Sequence, residues 1–469
     1  MRSGKRYRIK DLLPADGQPL GHRLYAILAV RPDGQKVYLR AREEDLVLYA
    51  QAEARLQGES LPLPTMAVRP GHNTDQVRGY NYLYWRDFFN SRQLLCLGLL
   101  VRGILDIEEE TVQEQMLCLF SSTLEFNNMF CSFKGEGTGA VRHMFSHHIL
   151  KPARVPLENS VWGTDKSSGT FSTLFESRLM PAKQYMDEPF EVEFRRDLFG
   201  ELLGTGKIVA SEPIRPTIVS SWEQFATTNN GLMVLNGDSS RIALPDASVD
   251  AVITDPPYFD FVHYSELSDF FFAWLAPALK SRYSWFDRTD SSDLGEVQHQ
   301  DPRVFARQLG SVFTECSRVL KSDGVLAFSF HHSRAEGWAA IFEAITNAGL
   351  VVVAAHPVHA ELRAASPKAS AKDPISLDAI LVCRKRSRTR AAEVEQSAVI
   401  QKSVALANKL QAAGISVSAS DRFVIVASQM LVALSSTDGD FDSVCDLLKR
   451  VRHAAQPGAG GDTPQAARP

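Results

Sequence analysis

No two cysteines of this 469-residue chain form a Cys-x-x-Cys pair. The six that are present are Cys96, Cys118, Cys131, Cys316, Cys383 and Cys445, and they are scattered among apolar neighbours. That spacing argues against a zinc ribbon inside the chain. It reads as the reduced, packed thiols of a cytosolic protein. Long apolar runs are missing too. The longest, around Leu94–Val101, falls well short of the ~20 residues that span a bilayer, so no membrane partner is expected. The opening MRSGKRYRIKDLLPADG is basic but has no apolar stretch of signal-peptide type. Charge of one sign is also lacking: 51 Lys and Arg stand against 55 Asp and Glu, a net charge of -4. There is no global basic signature for nucleic acid, so any such surface has to be a local patch. What remains is ordinary for a soluble chain of two or three domains, with 44% hydrophobic and 23% charged residues.

Two kinds of pattern divide the chain. Up to about residue 230 it is mixed. YAILAV (25–30) and KVYLR (36–40) flank a turn-like Arg31-Pro32-Asp33-Gly34 and predict a hairpin. Residues 45–56 predict a helix, and Ser91 is the expected N-cap of a buried helix over 91–104. Another helix is expected over 112–126, whereas 150–175 shows little periodicity. From 232 onward strands and helices alternate. Strands are expected at 233–238, 249–255, 324–332, 350–358 and 377–385, with helices over 303–320 and around Trp338–Ile345. That order implies an open, mostly parallel sheet with helices on both faces. Residues 386–452 read as a helical appendage and 454–469 as a disordered tail.

A buried strand is expected at 249–255, and it ends in Thr254-Asp255-Pro256-Pro257-Tyr258. In open α/β sheets that strand end is where ligands bind. Two successive prolines supply no N–H, which keeps the nearby carbonyls out of the ladder and free to accept. Asp255 adds a carboxylate acceptor. An exocyclic amino group on a base has two donors, which match the Asp255 carboxylate and the Pro256 carbonyl. Held that way, the nitrogen moves from planar toward tetrahedral and its lone pair can attack a sulfonium methyl in line. This is positioning and electrostatic preorganisation. Tyr258 offers a flat face to a base removed from its stack. The bland alternative is a rigid proline turn capped by Asp255.

With those residues in place, the sequence resembles DNA amino-methyltransferases that carry a D-P-P-Y motif. The segment LNGDSSRIALPDASVDAVITDPPYFDFVHYSELSDFFFAWL (235–275) narrows this. It resembles the large adenine-specific DNA methylases that contain a DUF1156 domain and occur among anti-phage defence genes. GYNYLYWRDFFNSRQLLCLGLLV (79–101), the HMFSHHILKPARVP region (143–156), VLKSDGVLAFSFHH (319–332) and ISLDAILVCRK (375–385) carry the resemblance over roughly 20–390. It implies an α/β fold with a Rossmann-like methyltransferase sheet, a mostly helical N-terminal region and a helical C-terminal appendage. The implied activity is S-adenosyl-L-methionine-dependent methylation of DNA, adenine N6 favoured. Asp255, Pro256, Pro257 and Tyr258 would hold the target, and Asp238 would contact the cofactor from the end of the preceding strand. His263, Tyr264 and Glu266 could line the pocket, and His331 and His332 end a strand at the same sheet edge. The implied organisation is a small α+β region over 1–75, a helical and irregular insertion over 76–230 as candidate DNA-recognition region, and a catalytic region over 231–386. A helical appendage over 387–453 and the tail complete it.

One part of the family pattern is absent. A D-P-F-x-G-x-G loop should close the first strand and hold the methionine part of the cofactor. The only glycine-rich stretches are GEGTG (135–139) and GELLGTG (200–206), and neither clearly follows an apolar strand. The chain resembles the downstream half of the large enzymes. This implies a sheet that is incomplete and a second polypeptide carrying the glycine-rich loop and a zinc ribbon. Other readings stay open: an RNA-base or protein glutamine methyltransferase, or a non-catalytic DNA-binding or assembly subunit. The aromatic–basic group Tyr80, Tyr82, Tyr84, Trp85 and Arg86, and the basic run Arg384, Lys385, Arg386, Arg388 and Arg390, are candidate nucleic-acid contacts.

Overall fold

Aromatic side chains gather into two separate cores, and the chain divides accordingly into two compact units. The computed structural model describes residues 7–134, 140–146, 150–164, 167–197, 202–259, 262–360, 375–386, 395–437 and 439–454. The first unit takes Met1–Thr217 together with His263–Ser292, and the second Ile218–Val262 together with Asp293–Pro469. The expected tail beyond residue 454 and the GEGTG stretch lie outside the described residues.

In the first unit, the hairpin forms as expected from β1 (Ala26–Val30) and β2 (Lys36–Arg40), antiparallel. Its turn needs Gly34 at φ +84, and the Gly34 N–H donates to the Arg31 carbonyl at 2.8 Å. Helices α1 (Glu43–Gly58), α2 (Thr74–Arg78), α3 (Ser91–Leu105) and α4 (Glu110–Leu124) follow. Asn90, one residue before the expected Ser91, caps α3. Its side chain accepts from Gln93 N–H at 2.8 Å and Gln93 reaches back to the Asn90 N–H at 3.1 Å, a closed capping box. A short ribbon of β3 (Ser132–Phe133) and β4 (Val141–Arg142) precedes α5 (Phe171–Leu174) and α6 (Met180–Asp187). An antiparallel pair, β5 (Phe190–Arg196) and β6 (Leu202–Val209), comes next. The last helix of this unit, α8 (Tyr264–Leu279), buries Phe270 and Trp274 among Trp85, Phe88, Phe89 and Phe120.

The second unit starts with a ribbon of β7 (Thr217–Val219) and β8 (Gly231–Met233) around α7 (Trp222–Thr227). Its centre is a four-stranded sheet in the order β11-β12-β10-β9. The strands are β9 (Val249–Thr254), β10 (Leu320–Phe330), β11 (Leu350–His359) and β12 (Leu377–Lys385). Helix α9 (Pro302–Val319) leads into β10 and α10 (Ala335–Asn347) into β11. Asp301 caps α9 by accepting from the Arg303 N–H at 2.8 Å. Phe305, Leu309, Phe313 and Cys316 recur at helical spacing and are buried, so α9 presents one apolar stripe.

The expectation of a mostly parallel sheet is corrected. Among the described strands of this sheet only β9 and β10 pair in parallel; β12 runs antiparallel to both β10 and β11. Each β-α-β step does keep its strands parallel, since β10 and β11 both oppose β12. The last strand then inserts between them. A second correction concerns the faces. Leu326, Phe328 and Phe330 of β10, Ala379, Leu381 and Cys383 of β12, and Leu350, Val352 and Ala355 of β11 share one face by register, and all are buried with α9 and α10. The alternate residues Ala327, Ser329, Ile380 and Val382 are only half-buried, and Ile253 on the same face is 83% exposed. The described residues of the expected appendage form α11 (Gln396–Ala412), α12 (Ala419–Leu434) and α13 (Phe441–Ala454). This segment is not an appendage, because Phe423, Val424, Met430 and Leu431 of α12 and Val444 and Leu448 of α13 belong to the sheet core. A helix apolar on every side, as α12 is, has to be buried.

Candidate active site

The parallel register pairs Thr254 with Phe328, so the next residues along, Asp255 and Ser329, stand side by side at the carboxyl ends of β9 and β10. The Ser329 hydroxyl donates to Asp255 Oδ1. It accepts in turn from the Tyr258 hydroxyl at 3.1 Å. A three-member relay, Tyr258 to Ser329 to Asp255, therefore orients the carboxylate, and each bond polarises the next. Asp255 itself is exposed, with its other oxygen outside this relay. Pro256 is buried, and no donor among the described residues reaches its carbonyl. Two acceptors of different kinds thus end the strand, as the proline pair implies.

Tyr258 is held from two further sides. Its ring meets Phe330 edge-on at 5.5 Å and His331 at 4.8 Å between centroids. His331 Nδ1 is hydrogen-bonded to Asp378, which lies opposite it on β12, and both residues are close to buried. A carboxylate can only accept, so this contact holds the Nδ1–H form of the imidazole. Burial pushes the Tyr258 phenol well above its ordinary value; the bond to Ser329 opposes this, and the charges of Asp378 and Asp255 add to it. Tyr258 therefore donates as a neutral phenol.

The residue after the motif is strained. Phe259 has φ +51, a left-handed conformation that bulky side chains rarely adopt. It is 1% exposed and packed between Phe305 and His332, with Arg334 over its ring. Packing of this density holds a backbone that costs ~1–3 kcal/mol. It fixes the exit of the chain directly behind Tyr258.

Other candidate residues fall elsewhere. The strand expected at 233–238 is confined to Gly231–Met233 and pairs with β7, outside the main sheet. Asp238 sits in an exposed turn, where its carboxylate accepts from the Ser240 N–H at 2.8 Å and hydroxyl at 2.7 Å. Those bonds lower its pKa. Glu266 does not line a pocket: it is buried in the first unit and accepts from the N–H groups of His72, Asn73 and Thr74. His263 stacks on His72 at 4.7 Å and reaches Glu266, while Tyr264 is half-exposed. His332 is 1% exposed between Phe259 and Phe330 and is structural. Tyr82 and Trp85 belong to the aromatic core; of that group Tyr84 stays exposed, with Arg86 over its ring. Lys385 and Arg386 are spent on the carbonyls of Leu320 and Ser435, and Arg388 and Arg390 lie outside the described residues.

A glycine-rich cofactor loop between strand and helix is absent among the described residues. The described part of GELLGTG lies within β6 of a hairpin. The site residues that sequence reasoning missed are Ser329 and Asp378. Ser329 is the lone polar residue between Phe328 and Phe330, which was a usable signal; its partners depend on a strand register that the sequence does not display. Comparison with protein-family models, curated proteins and solved structures returns no match.

Proposed function

We propose that this chain is the base-holding half of an S-adenosyl-L-methionine-dependent amino-methyltransferase that acts on DNA, with adenine N6 as the favoured target. The proposal places it with the DUF1156-type adenine-specific methylases it resembles. The observation that carries it is the end of β9, where Ser329 holds the Asp255 carboxylate beside the undonated Pro256 carbonyl and the flat ring of Tyr258. An exocyclic amine places one hydrogen on each acceptor, which draws its lone pair out of ring conjugation. A fixed carboxylate needs no reorganisation as positive charge develops on that nitrogen. Tyr258 stacks the extruded base, its own tilt held by His331 and Phe330.

The described residues do not form a cofactor site by themselves. Asp238 lies in an exposed turn off the main sheet, with both Ser240 bonds on Oδ1, and no strand-to-helix glycine loop accompanies it among the described residues. We therefore infer that the methyl donor is held by residues outside those described, carried in the split-enzyme reading by a second polypeptide. The open edge of β9 supports that assignment: β9 bonds only β10 among the described strands, and Ile253 projects 83% exposed. Open α/β sheets build their ligand crevice where the strand order reverses, and β9 sits where such a second half would begin. The missing loop also favours one other reading, a non-catalytic DNA-binding subunit that kept the motif. Methylome sequencing of a deletion strain separates the two: loss of a modified adenine supports transfer, and an unchanged methylome supports the binding subunit.

A further inference from the structure

The first unit contains a cleft far from ordinary in its charge. It is bounded by the β1–β2 hairpin, the start of α3 and the segment 154–161, and has a volume of about 1950 Å³. That is roughly twice the upper end of the ~300–1,000 Å³ of small-molecule pockets, which suits a polymer. Arg23, Arg31, Lys36 and Arg154 line it, and all four are exposed. None of the four makes an ion pair with a described residue. Glu158 is the one acidic residue among the lining, and it is spent on Arg92 through contacts of 2.7 and 3.0 Å. Four cations without an ion pair among the described residues line this one cleft of a chain whose net charge is -4, Arg31 donating to the Gln35 side chain at 3.2 Å.

Two aromatic faces stand among those charges. Tyr25 is 63% and Tyr38 53% exposed, and both are in the cleft lining; by the hairpin register they project from opposite faces of the ribbon, Tyr38 on the face of Lys36 and edge-on to Phe133 at 6.1 Å. Exposed tyrosines interleaved with unpaired cations form the pattern that grips a single nucleic-acid strand, with phosphates on the cations and bases on the rings. An acidic peptide would use the charges but leave the rings idle.

We propose that this cleft binds a single-stranded segment of nucleic acid through its phosphodiester backbone. The assignment stands on charge and shape within the first unit, and not on the transfer chemistry at Asp255. The test is fluorescence anisotropy of a fluorescein-labelled 20-nucleotide oligothymidylate with the full-length chain and no methyl donor, at several salt concentrations. Replacing Arg31, Lys36 and Arg154 together by Ala is expected to weaken binding at least about tenfold at low salt. It should also flatten the log–log salt slope by about 2, since each lost single-strand phosphate contact removes ~0.7. Tyr25→Ala should weaken binding about fivefold or more with the slope unchanged, the signature of stacking. These side chains are exposed, so thermal melting should stay at the wild-type value. Unchanged affinity and slope in the triple variant would overturn the proposal. So would displacement of the strand by poly-glutamate at equal charge together with no effect of Tyr25→Ala. A chain that binds by this route yet transfers no methyl group would sink the proposed activity and leave the cleft assignment standing.

Discussion

The two edges of the four-stranded sheet are finished in opposite ways. At the β11 edge, α12 packs against the strand and its side chains satisfy the backbone: the Ser435 hydroxyl accepts from the Val352 N–H at 2.8 Å, and Gln429 donates to the Ala355 carbonyl at 2.9 Å. Asp421 fastens the same helix to the start of β12, accepting from the N–H groups of Ser376 and Leu377 at 2.7 and 2.9 Å. The β9 edge has no such cover among the described residues, and it carries an apolar side chain in water. Proteins protect edges of this kind with lysines, bulges or covering elements because unpaired strands recruit other strands. One edge is closed by the chain's own helix, and the motif-bearing edge is open among the described residues.

The comparison can be broken at several points. The largest effect is expected from Ile253→Lys, which places a charge on the open edge. Co-purification with the proposed second polypeptide should be lost, while the isolated chain melts as wild type because the side chain is exposed. Retained co-purification would place the partner elsewhere. Next is Ser329→Ala, which frees both Asp255 and Tyr258. In the proposed activity, methyl transfer should fall about ten- to a hundredfold through kcat, with Ser329→Thr restoring part of it. An unchanged kcat would remove the relay from the account.

At the closed edge, Ser435→Ala strands the buried Val352 N–H and should cost about 1–3 kcal/mol in denaturant unfolding, without touching partner binding. The smallest effect concerns pH. The folded Tyr258 phenol lies above its unfolded value of 10.0, so its contribution to stability is complete below pH ~10. It declines as pH rises from there toward the folded value. Melting temperatures between pH 8 and 11 should therefore fall less steeply for Tyr258→Phe than for wild type above pH 10, and equal slopes would contradict that burial.

Local features of this fold were legible wherever chemistry is local. The hairpin at 26–40 announced itself through Pro32-Asp33-Gly34, and α9 and α10 through apolar spacing. The motif does stand at a strand's carboxyl end, but the strand is not the buried one expected: no residue of β9 is fully buried, because β9 is an edge strand. Pairing direction was not legible: β12 reads like any buried strand, and its antiparallel insertion is decided by sheet packing. The same holds for Glu266 and α12. Their polarity and apolarity suggested a pocket and an appendage, but their roles come from segments almost two hundred and about eighty residues away, respectively. Ser329 and Asp378 were missed for that reason as well.

The most direct measurement is transfer of labelled methyl groups to adenine-containing DNA by the complex co-expressed from this chain and its neighbouring open reading frame. Wild type is compared with Asp255→Ala. The account predicts at least a ~100-fold loss, the scale of removing one preorganised polar group from a transition state, with melting and assembly unchanged. Transfer by the Asp255→Ala complex within about threefold of wild type would contradict it.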